Sequence, residues 1–315
     1  MSTAQTPPSR AREELPLRAL APAKINLGLF VGPTRPDGRH ELVSVMQSIS
    51  LADELTLEDA PAGAERDEVV CPGVSGENLA AHALELFRQA TGWDAGPLRL
   101  QIDKRVPVAA GLGGGSADAA ATLRLASAAS GLGDMDLLHV LAGKLGADVP
   151  AQVAPGRWLA TGAGELLDKL PDPVSPLGVL ILAAAAELST AEVYAAADRM
   201  ELGHDASLLE ERRRALGRAL ELGVALPEGK GLLHNDLQAA AIALCPAIEG
   251  TLEQAREAGA EAVFVSGSGP TVVGLFARAN GLVRAQRAAA GLAGREPAAM
   301  AAVTVDASFG EPRGI

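Results

Sequence analysis

The stretch PVAAGLGGGSADAA (residues 107–120) carries the strongest signal in the sequence. Glycine takes four of the five positions from 111 to 115, between a strand-like segment that ends near Pro107 and an Ala/Leu-rich segment that predicts a helix to about Ala129. Several backbone N–H groups can approach an anion there, and the start of a helix adds a favourable dipole. A tight turn capped by a serine would need fewer glycines. The stretch therefore favours a phosphate-binding loop, in which the Ser116 hydroxyl either caps the helix or meets a phosphate or Mg²⁺.

Two common nucleotide-binding motifs do not describe this loop. A Walker A loop ends in Gly-Lys-Ser/Thr, and this loop has no such ending. In the dinucleotide pattern G-x-G-x-x-G, the third glycine would fall on Ser116. A Rossmann domain that binds NAD is therefore a poor fit.

Upstream of the loop, Leu17 to Val31 alternates with period 2 and predicts a strand. Its odd positions from Ala19 onward are apolar, whereas Lys24 and Asn26 fall together on the other face. The chain uses Arg far more often than Lys, so a lysine here indicates that a compact ammonium is wanted. The alternative is a solvated polar face on an edge strand.

A third candidate is Asp148, in the segment GADVP (146–150), which predicts a loop. A turn or capping role is the ordinary alternative for this aspartate. Phosphoryl transfer to an alcohol needs a phosphate cradle, a cation beside the transferring group and a carboxylate near the attacking hydroxyl. The glycine loop, Lys24 and Asp148 supply one of each, and we expect them to meet in the folded protein.

The rest of the chain predicts strands and helices in mixed order, without regular βαβ alternation, which favours an α+β fold in two lobes. The predicted divisions are a flexible tail (1–16), an N-terminal domain (17–164) and a C-terminal domain (165–315). Within the first, strands near 51–57 and 98–102 and helices near 78–90 and 134–145 are expected. A second glycine-rich segment, GSGPT (267–271), lies between two apolar strands. It is either a hairpin turn or a second loop that faces a ligand.

Composition narrows the class of protein. The 315 residues are 48% hydrophobic, which is ample for a core, and the net charge is −12. A charge of this sign argues against non-specific binding to nucleic acid or to an anionic membrane. The longest apolar run, 179–186, is shorter than the ~20 residues of a membrane span, and the N-terminus lacks the apolar stretch of a signal peptide. Cys71 and Cys245 are expected to be buried, reduced thiols. The sequence contains no metal-ligand motif. A cytoplasmic protein is predicted.

Residues 107–120 resemble the phosphate-binding motif of the GHMP kinases, the superfamily of galactokinase, homoserine kinase, mevalonate kinase and phosphomevalonate kinase. Further segments resemble, in the same order along the chain, the branch that phosphorylates 4-diphosphocytidyl-2-C-methyl-D-erythritol. These segments are APAKINL (21–27), RPDGRH (35–40), DKRVP (103–107), GADVP (146–150), HNDL (234–237) and SGSGPT (266–271). The resemblance implies a two-lobed GHMP kinase fold with the active site in the cleft between the lobes. It also implies phosphorylation of the 2-hydroxyl of that alcohol by ATP, which carries Mg²⁺, on the non-mevalonate route to isoprenoid precursors.

The resemblance further implies roles for the matching residues. Asp148 would be the catalytic carboxylate, Lys24 its partner near the hydroxyl and the γ-phosphate, and Asn26 an orienting group. ATP would be held by Asn78 and Lys104 beside the adenine, and by Pro107, Gly111, Leu112, Gly113, Gly114, Gly115 and Ser116. The cytidine pocket would be lined by Arg39, His40, Thr190 and Tyr194.

One residue departs from the family pattern, because Arg39 stands where the family often has an aromatic residue before the histidine. A planar guanidinium can stack on a base as an aromatic ring does. We therefore predict a cytosine held between Tyr194 and Arg39, with His40 reading its edge.

Two other hypotheses stay open at this point. One is another GHMP kinase, acting on mevalonate or homoserine, and the other is a regulatory protein of the same fold that binds ligands without turnover. The presence of both Asp148 and Lys24 favours an enzyme. Its expected partners are ATP and a small-molecule substrate, without nucleic acid or membrane, and a weak homodimer is left open.

Overall fold

β1 (Leu17–Thr34) and β2 (His40–Asp59) form a long antiparallel pair that is the framework of the first lobe in this computed structural model. The structure describes residues 13–74, 76–184, 186–227 and 231–315, so most of the predicted tail lies outside the described residues. The strand predicted near 51–57 is part of the longer strand β2, because β1 pairs with β2 from Leu57 back to His40.

Five shorter strands complete a seven-stranded sheet around this pair. They are β3 (Glu68–Val70), β4 (Leu98–Asp103), β5 (Arg157–Thr161), β6 (Leu166–Lys169) and, from the end of the chain, β11 (Arg313–Gly314). β5 and β6 form an antiparallel hairpin. The sequence did not predict β3 or β11, because three and two residues are too few to show an alternating pattern.

The predicted domain boundary after residue 164 falls inside the turn between β5 and β6. Since β6 pairs with β5, and β11 pairs with the start of β1, the first sheet takes strands from beyond that boundary. We propose that the first lobe continues to Lys169 and is completed by the chain terminus.

Four helices belong to the first lobe: α1 (Leu79–Thr91), α2 (Gly114–Ser130), α3 (Met135–Leu145) and α4 (Val149–Val153). Two of them begin at the predicted positions, directly after residues 78 and 134. The Asn78 side chain accepts a hydrogen bond from the Ala80 N–H, and the Asp134 side chain accepts one from Leu137. Gly131, in the left-handed conformation, ends α2.

The second lobe is a four-stranded antiparallel sheet with five helices. Its strands, in the order β10-β7-β9-β8, are β7 (Gly178–Leu182), β8 (Ala262–Val265), β9 (Val272–Phe276) and β10 (Met300–Val303). Its helices are α5 (Thr190–Arg199), α6 (Ala206–Leu220), α7 (Leu237–Leu244), α8 (Ala247–Glu257) and α9 (Gly281–Gly291). Among the described residues, no helix combines the length and the apolar character needed to cross a membrane.

Three large apolar cores hold the layers together in the described residues, beside a small fourth cluster of Met46, Ala151 and Ala160. One lies between the first sheet and α1–α4, and another lies between the second sheet and α5 with α7–α9. The third fills the space between the two sheets and is closed by α6. The predicted α+β fold in two lobes is confirmed, and the lobes meet along β1.

A bulge in β2, opposite Ala23 of β1, coincides with a change in the apolar core that β1 faces. The pairing of β1 with β2 shifts between Pro22 and Lys24. Before the shift, odd-numbered Ala21 packs in the core beneath the helices, whereas after it Ala23 and Ile25 pack in the core between the sheets. Between these pairs β2 advances by four residues, from Ala52 to Ser48, while β1 advances by two, so the extra residues lie in β2 and the pair twists locally. The single apolar face predicted from Ala19 to Val31 is therefore wrong, and Lys24 turns toward the helices.

Candidate active site

Lys24 and Asn26 lie side by side on β1, just after the bulge. Lys24 Nζ donates to Asn26 Oδ1 (2.8 Å), and Asn26 Nδ2 donates to Ser44 Oγ (2.7 Å). Only 7% of Lys24 and 3% of Asn26 is exposed. The interpretation as a solvated polar face is wrong, because the glycine run covers this edge of β1, where the Lys24 N–H donates to Leu112 O (2.9 Å).

Asp148 stands immediately before α4, and its Oδ2 lies 3.5 Å from Lys24 Nζ. The loop predicted over 146–150 is wrong in its second half, because α4 begins at Val149 and has Pro150 in its first turn, where proline is tolerated. The Asp148 side chain accepts no capping hydrogen bond, so the capping alternative is also wrong. Its carboxylate lines the cleft with 34% of the side chain exposed, which leaves it available to a ligand.

The glycine run forms the turn into α2. Gly111 and Gly113 adopt the left-handed conformation, with φ of 72° and 70°. A Cβ at Gly111 would lie 2.6 Å from Ser266 O, and a Cβ at Gly113 would lie 2.9 Å from Lys24 Cγ. Conformation and packing therefore both require glycine at these two positions. The capping alternative for Ser116 is wrong, because the residue before the helix is Gly113 and Ser116 lies within the first turn.

The N-terminus of α2 offers donors to an anion. In the part of the chain that the structure describes, the backbone N–H groups of Gly114, Gly115 and Ser116 have no acceptor, as is usual in a first helical turn. A Cβ at Gly115 would meet only Leu79 Cδ1, at 4.0 Å, so this residue faces open space. Free N–H groups and the helix dipole together favour a phosphate here.

Two adjoining cavities share Gly111, Gly113 and Ser116 in their walls. The larger, of about 860 Å³, lies between the lobes and is lined by Lys24, Asn26, Arg39, His40, Asp148, Thr190 and Tyr194. The smaller, of about 320 Å³, is lined by Asn78, Lys104, Pro107, Leu112, Gly114 and Gly115. The structure thus brings every residue predicted for the site to one of two connected spaces.

Each lysine and arginine that lines these cavities, within the described ranges, is already paired with a carboxylate. The pairs are Lys24 with Asp148, Arg39 with Asp37, and Lys104 with both Asp53 and Asp118. No ammonium or guanidinium in the described parts of these cavity walls is left without a carboxylate partner. The attraction for an anion therefore comes mainly from the N-terminus of α2.

The second glycine-rich segment is a hairpin turn, as one of its two alternatives predicted, and it also forms part of the cleft wall. It joins the antiparallel strands β8 and β9, and Gly267 and Ser268 line the larger cavity. Ser268 Oγ lies 3.0 Å from Thr190 Oγ1, at the first residue of α5. A Cβ at Gly267 would lie 3.3 Å from Lys24 Nζ, so this loop rests directly on the buried lysine.

The predicted cytidine residues take an arrangement different from the one expected. The His40 ring stacks on Tyr194, with centroids 5.0 Å apart and planes 28° from parallel. Its Nε2 lies 2.7 Å from Asp198 Oδ1. Arg39 is 54% exposed and donates through Nε and Nη2 to Asp37 (3.1 and 2.9 Å). The group that stacks on Tyr194 is therefore His40, whereas the Arg39 guanidinium is bound to Asp37.

Lys104 is held between two buried carboxylates at the smaller cavity. Its Nζ donates to Asp53 Oδ2 (2.5 Å) and to Asp118 Oδ2 (2.8 Å). Burial lowers the pKa of Lys104, but the two carboxylates more than offset this effect and the pKa is raised. Burial raises the pKa of Asp118 to about 7, although Lys104 opposes the shift. Asp118 Oδ1 has no hydrogen-bond partner among the described residues.

Asp118→Asn is expected to change how stability depends on pH. Because the pKa of Asp118 is raised to about 7 by burial, the folded protein holds a proton between pH ~4 and ~7 that the unfolded chain has released. Stability from this group is full below pH ~4 and is lost as the pH rises through ~7. The Tm of the variant minus the Tm of wild type should therefore increase by on the order of 5 °C as the pH is raised from 5 to 8. Asp94→Asn, at an exposed position, is the control, and equal shifts in the two variants would contradict the assignment.

Sequence reasoning missed three groups that hold the site together. Asp53 and Asp118 grip Lys104, and Ser44 fixes Asn26. Asp118 lies inside the glycine motif and could have been weighed as a charged residue on an otherwise apolar helix. Asp53 and Ser44 carried no such signal, because only the pairing of β2 with its neighbours brings them here.

One expectation about cysteine is also corrected. Cys245 is buried as predicted, but Cys71 is half-buried and lines the smaller cavity. Burial raises the pKa of the Cys71 thiol, and the negative charge of Asp118 adds to this shift. The thiolate, which is the reactive form, is therefore disfavoured at this position.

Comparison of sequences places both lobes in one family. The family described as GHMP kinases N terminal domain matches residues 78–156, and that described as GHMP kinases C terminal matches residues 206–293. The 4-diphosphocytidyl-2-C-methyl-D-erythritol kinase of Anaeromyxobacter dehalogenans (strain 2CP-C) is 42% identical over 293 residues, or 88% of each chain. The kinase of the same name from Leifsonia xyli subsp. xyli (strain CTCB07) is 42% identical over 274 residues, which cover 82% of this chain and 87% of the relative.

Solved structures agree with this result. A crystal structure of 4-(cytidine 5'-diphospho)-2C-methyl-D-erythritol kinase superposes with a TM-score of 0.73 at 34% identity, over 91% of this chain and 98% of that one. A homoserine kinase from Cytophaga hutchinsonii gives the same TM-score, 0.73, at 16% identity over 97% and 99% of the two chains, which shows a shared fold alone. Fold and site together define a small-molecule kinase of the GHMP class. The chain belongs to the 4-diphosphocytidyl-2-C-methyl-D-erythritol kinase family.

Proposed function

We propose that this protein transfers the γ-phosphoryl group of ATP to the 2-hydroxyl of 4-diphosphocytidyl-2-C-methyl-D-erythritol, on the non-mevalonate route to isoprenoid precursors. One observation carries the proposal: a carboxylate, a buried lysine and the open end of a helix meet in one cleft. Asp148 lies 3.5 Å from Lys24, whose aliphatic stem lies beneath Gly113 at the start of α2. The names of the relatives supply the identity of the alcohol.

Asp148 is the group placed to take up the proton of the attacking hydroxyl. It faces the cleft, is free of capping duties and is partly exposed. Lys24 is fixed by Asn26 and by the loop above it, so its ammonium stays beside the carboxylate. A charge held in this way needs no reorganisation as negative charge redistributes on the transferring phosphoryl group. The cleft thus combines positioning of the hydroxyl with stabilisation of the transition state.

Mg²⁺ carried with ATP fits the oxygen donors of this site. Among the described residues, no cluster of three or more His, Cys, Asp or Glu side chains could hold a metal ion by itself. Mg²⁺ usually keeps several waters and binds one or two carboxylates together with substrate phosphates. The Ser116 hydroxyl, which lines both cavities beside the start of α2, would hold it there together with the phosphates of ATP. When bound, the ion neutralises negative charge on the phosphates.

The cytidine end of the alcohol is assigned to the part of the cleft around His40 and Tyr194. A pyrimidine can join a stack of rings, because every base has a π-face. The His40 ring is oriented by Asp198 and can make hydrogen bonds to the edge of a base. Thr190, on the same helix as Tyr194, lines the same wall of the cavity.

Tyr194→Ala is expected to weaken binding of the cytidine-containing alcohol by ~1–3 kcal/mol, the usual value of one base stack, without changing the KM for ATP. Arg39→Ala should have a smaller effect, because the Arg39 guanidinium is bound to Asp37. The measurement is KM for both substrates together with Tm. If Tyr194→Ala lowers Tm but leaves the KM for the alcohol unchanged, Tyr194 is a packing residue and the cytidine assignment is wrong.

The function itself is tested by ATP consumption with three alcohols: diphosphocytidyl-methylerythritol, mevalonate and homoserine. Turnover with the first alone is the expected result. Preference for either of the other two would move the protein to another branch of the GHMP kinases. Binding of ATP and the first alcohol without turnover would instead support a regulatory protein.

The proposed partners are ATP and the alcohol, with no nucleic acid, and the proposed compartment is the cytoplasm, where ATP is available. The net charge of −12 supports the absence of a nucleic-acid partner. For self-association, we propose at most a weak homodimer.

A further inference from the structure

The segment His234-Asn235-Asp236 is fixed against β1 close to the candidate site, although it lines neither cavity. The Leu29 N–H donates to His234 O (2.8 Å), and the Asp236 N–H donates to Leu29 O (3.0 Å). The Asp236 carboxylate also accepts a hydrogen bond from the Val31 N–H (2.8 Å). The segment thus extends the free edge of β1 just beyond Asn26.

From this edge, the Asn235 side chain reaches residues 266–269, which overlap the start of the second glycine-rich segment and are called the second glycine loop below. Its Nδ2 donates to two carbonyl groups, Val265 O and Gly267 O, each at 2.7 Å. Its Oδ1 accepts a hydrogen bond from the Leu237 N–H (2.9 Å). Asn235 is only 4% exposed, so all of these bonds are shielded from water. One buried amide therefore joins β1, the start of α7 and the second glycine loop.

The second glycine loop in turn packs on both halves of the candidate site. Gly267 has φ of 56°, and a Cβ there would lie 3.3 Å from Lys24 Nζ and 3.4 Å from Asn26 Oδ1. The same loop touches the first glycine run, because a Cβ at Gly111 would lie 2.6 Å from Ser266 O. A displacement of Gly267 would therefore uncover Lys24 and loosen the phosphate loop together.

We propose that Asn235 is a positioning residue, which holds the second glycine loop over Lys24 and against the phosphate loop without touching substrate. The proposal rests on the proposed function for its kinetic consequence. Its structural part stands independently, because the burial of Lys24 is measurable without any substrate. Loss of the amide leaves two buried carbonyl groups without their donor, and such groups are costly to leave unpaired.

The variant is Asn235→Ala, and the matched control is Gln238→Ala. Gln238 Oε1 accepts a hydrogen bond from the Val265 N–H (3.0 Å), so it binds the same strand but makes no bond to the glycine loop. The first readout is the rate at which acetic anhydride modifies Lys24, measured by mass spectrometry against the exposed Lys144 of the same molecule. Asn235→Ala should raise the relative modification of Lys24 several-fold, whereas Gln238→Ala should leave it unchanged.

The second readout is steady-state kinetics. We expect Asn235→Ala to lower kcat at least tenfold with a KM for the alcohol within about threefold of wild type, and Gln238→Ala to keep its kcat. Asn235→Ser, which retains a hydroxyl donor, should lie between wild type and Asn235→Ala in both readouts and replaces the alanine variant if that variant does not fold. Unchanged Lys24 modification in a folded Asn235 variant overturns the proposal, whatever the kinetics show. Increased modification in a protein with no activity on the alcohol upholds it and rejects the proposed function instead.

Discussion

Asp148→Asn is expected to lower kcat by ~10²–10⁴-fold, the usual contribution of a general base, while the fold and ATP binding are kept. The side chain makes no capping bond, and among the described residues it pairs with Lys24 alone, so loss of its charge removes little that holds the fold together. The asparagine keeps the size of the side chain and removes its ability to take up a proton. The measurement is kcat with the purified variant, alongside Tm and the affinity for ATP.

The control for this experiment is Asp136→Asn, an exposed aspartate in the first turn of α3. It should keep wild-type kcat, because it lies outside both cavities. A wild-type kcat in Asp148→Asn would remove this residue from the mechanism. A loss of activity accompanied by a clear fall in Tm would assign Asp148 a structural role.

Gly115→Val is expected to raise the KM for ATP on the order of tenfold or more, which corresponds to about 1.4 kcal/mol of lost binding. A Cβ at this position meets only Leu79 Cδ1, at 4.0 Å, and points into the space beside the first turn of α2. Extra carbon atoms there would keep a phosphate away from the N–H groups of the helix. Helix propensity does not disfavour valine relative to glycine, so Tm should change little.

Gly113→Ala is the matched comparison for the neighbouring position. Its Cβ would lie 2.9 Å from Lys24 Cγ, on a residue with φ of 70°, so the cost falls on folding as well as on binding. Gly114 is less informative, because a Cβ there would press on Val106 at 3.1 Å. If Gly115→Val binds ATP as wild type does, the glycine run is a structural turn and the phosphate site lies elsewhere.

The candidate site was predictable where its signal is local in the chain. A glycine run before a helix, a lysine and an asparagine two residues apart on a strand, and an aspartate in a short loop are each visible in a few consecutive residues. The structure brings Lys24, Asp148 and the glycine run together as expected. Most helices were predictable for the same reason, since capping residues such as Asn78 and Asp134 act within one turn.

What the sequence did not reveal depends on irregularity or on distant pairing. The pairing of β1 with β2 is irregular at three places, the first of them opposite Ala23, and alternation alone does not show this. The partner of Lys104 on β2, Asp53, is 51 residues away and is placed by strand register. The run of glycines suggested that all of them bind phosphate. Gly111 and Gly113 are instead required by backbone conformation and packing, and of these three only Gly115 faces open space.

The pairing of every lysine and arginine in the cavity walls, within the described ranges, has a consequence for the rate at which ATP arrives. Long-range attraction speeds the encounter of an anion with a protein only where a positive field reaches into solvent. Here the nearby cations are paired with carboxylates and the whole chain carries a charge of −12, so we expect the approaching nucleotide to meet a weakly repulsive field. Salt shortens the reach of that field to about 10 Å at 0.1 M, so moderate ionic strength should speed association where it would slow it for a protein with a basic cleft. We therefore expect this kinase to select its nucleotide by fit after contact, without long-range electrostatic attraction.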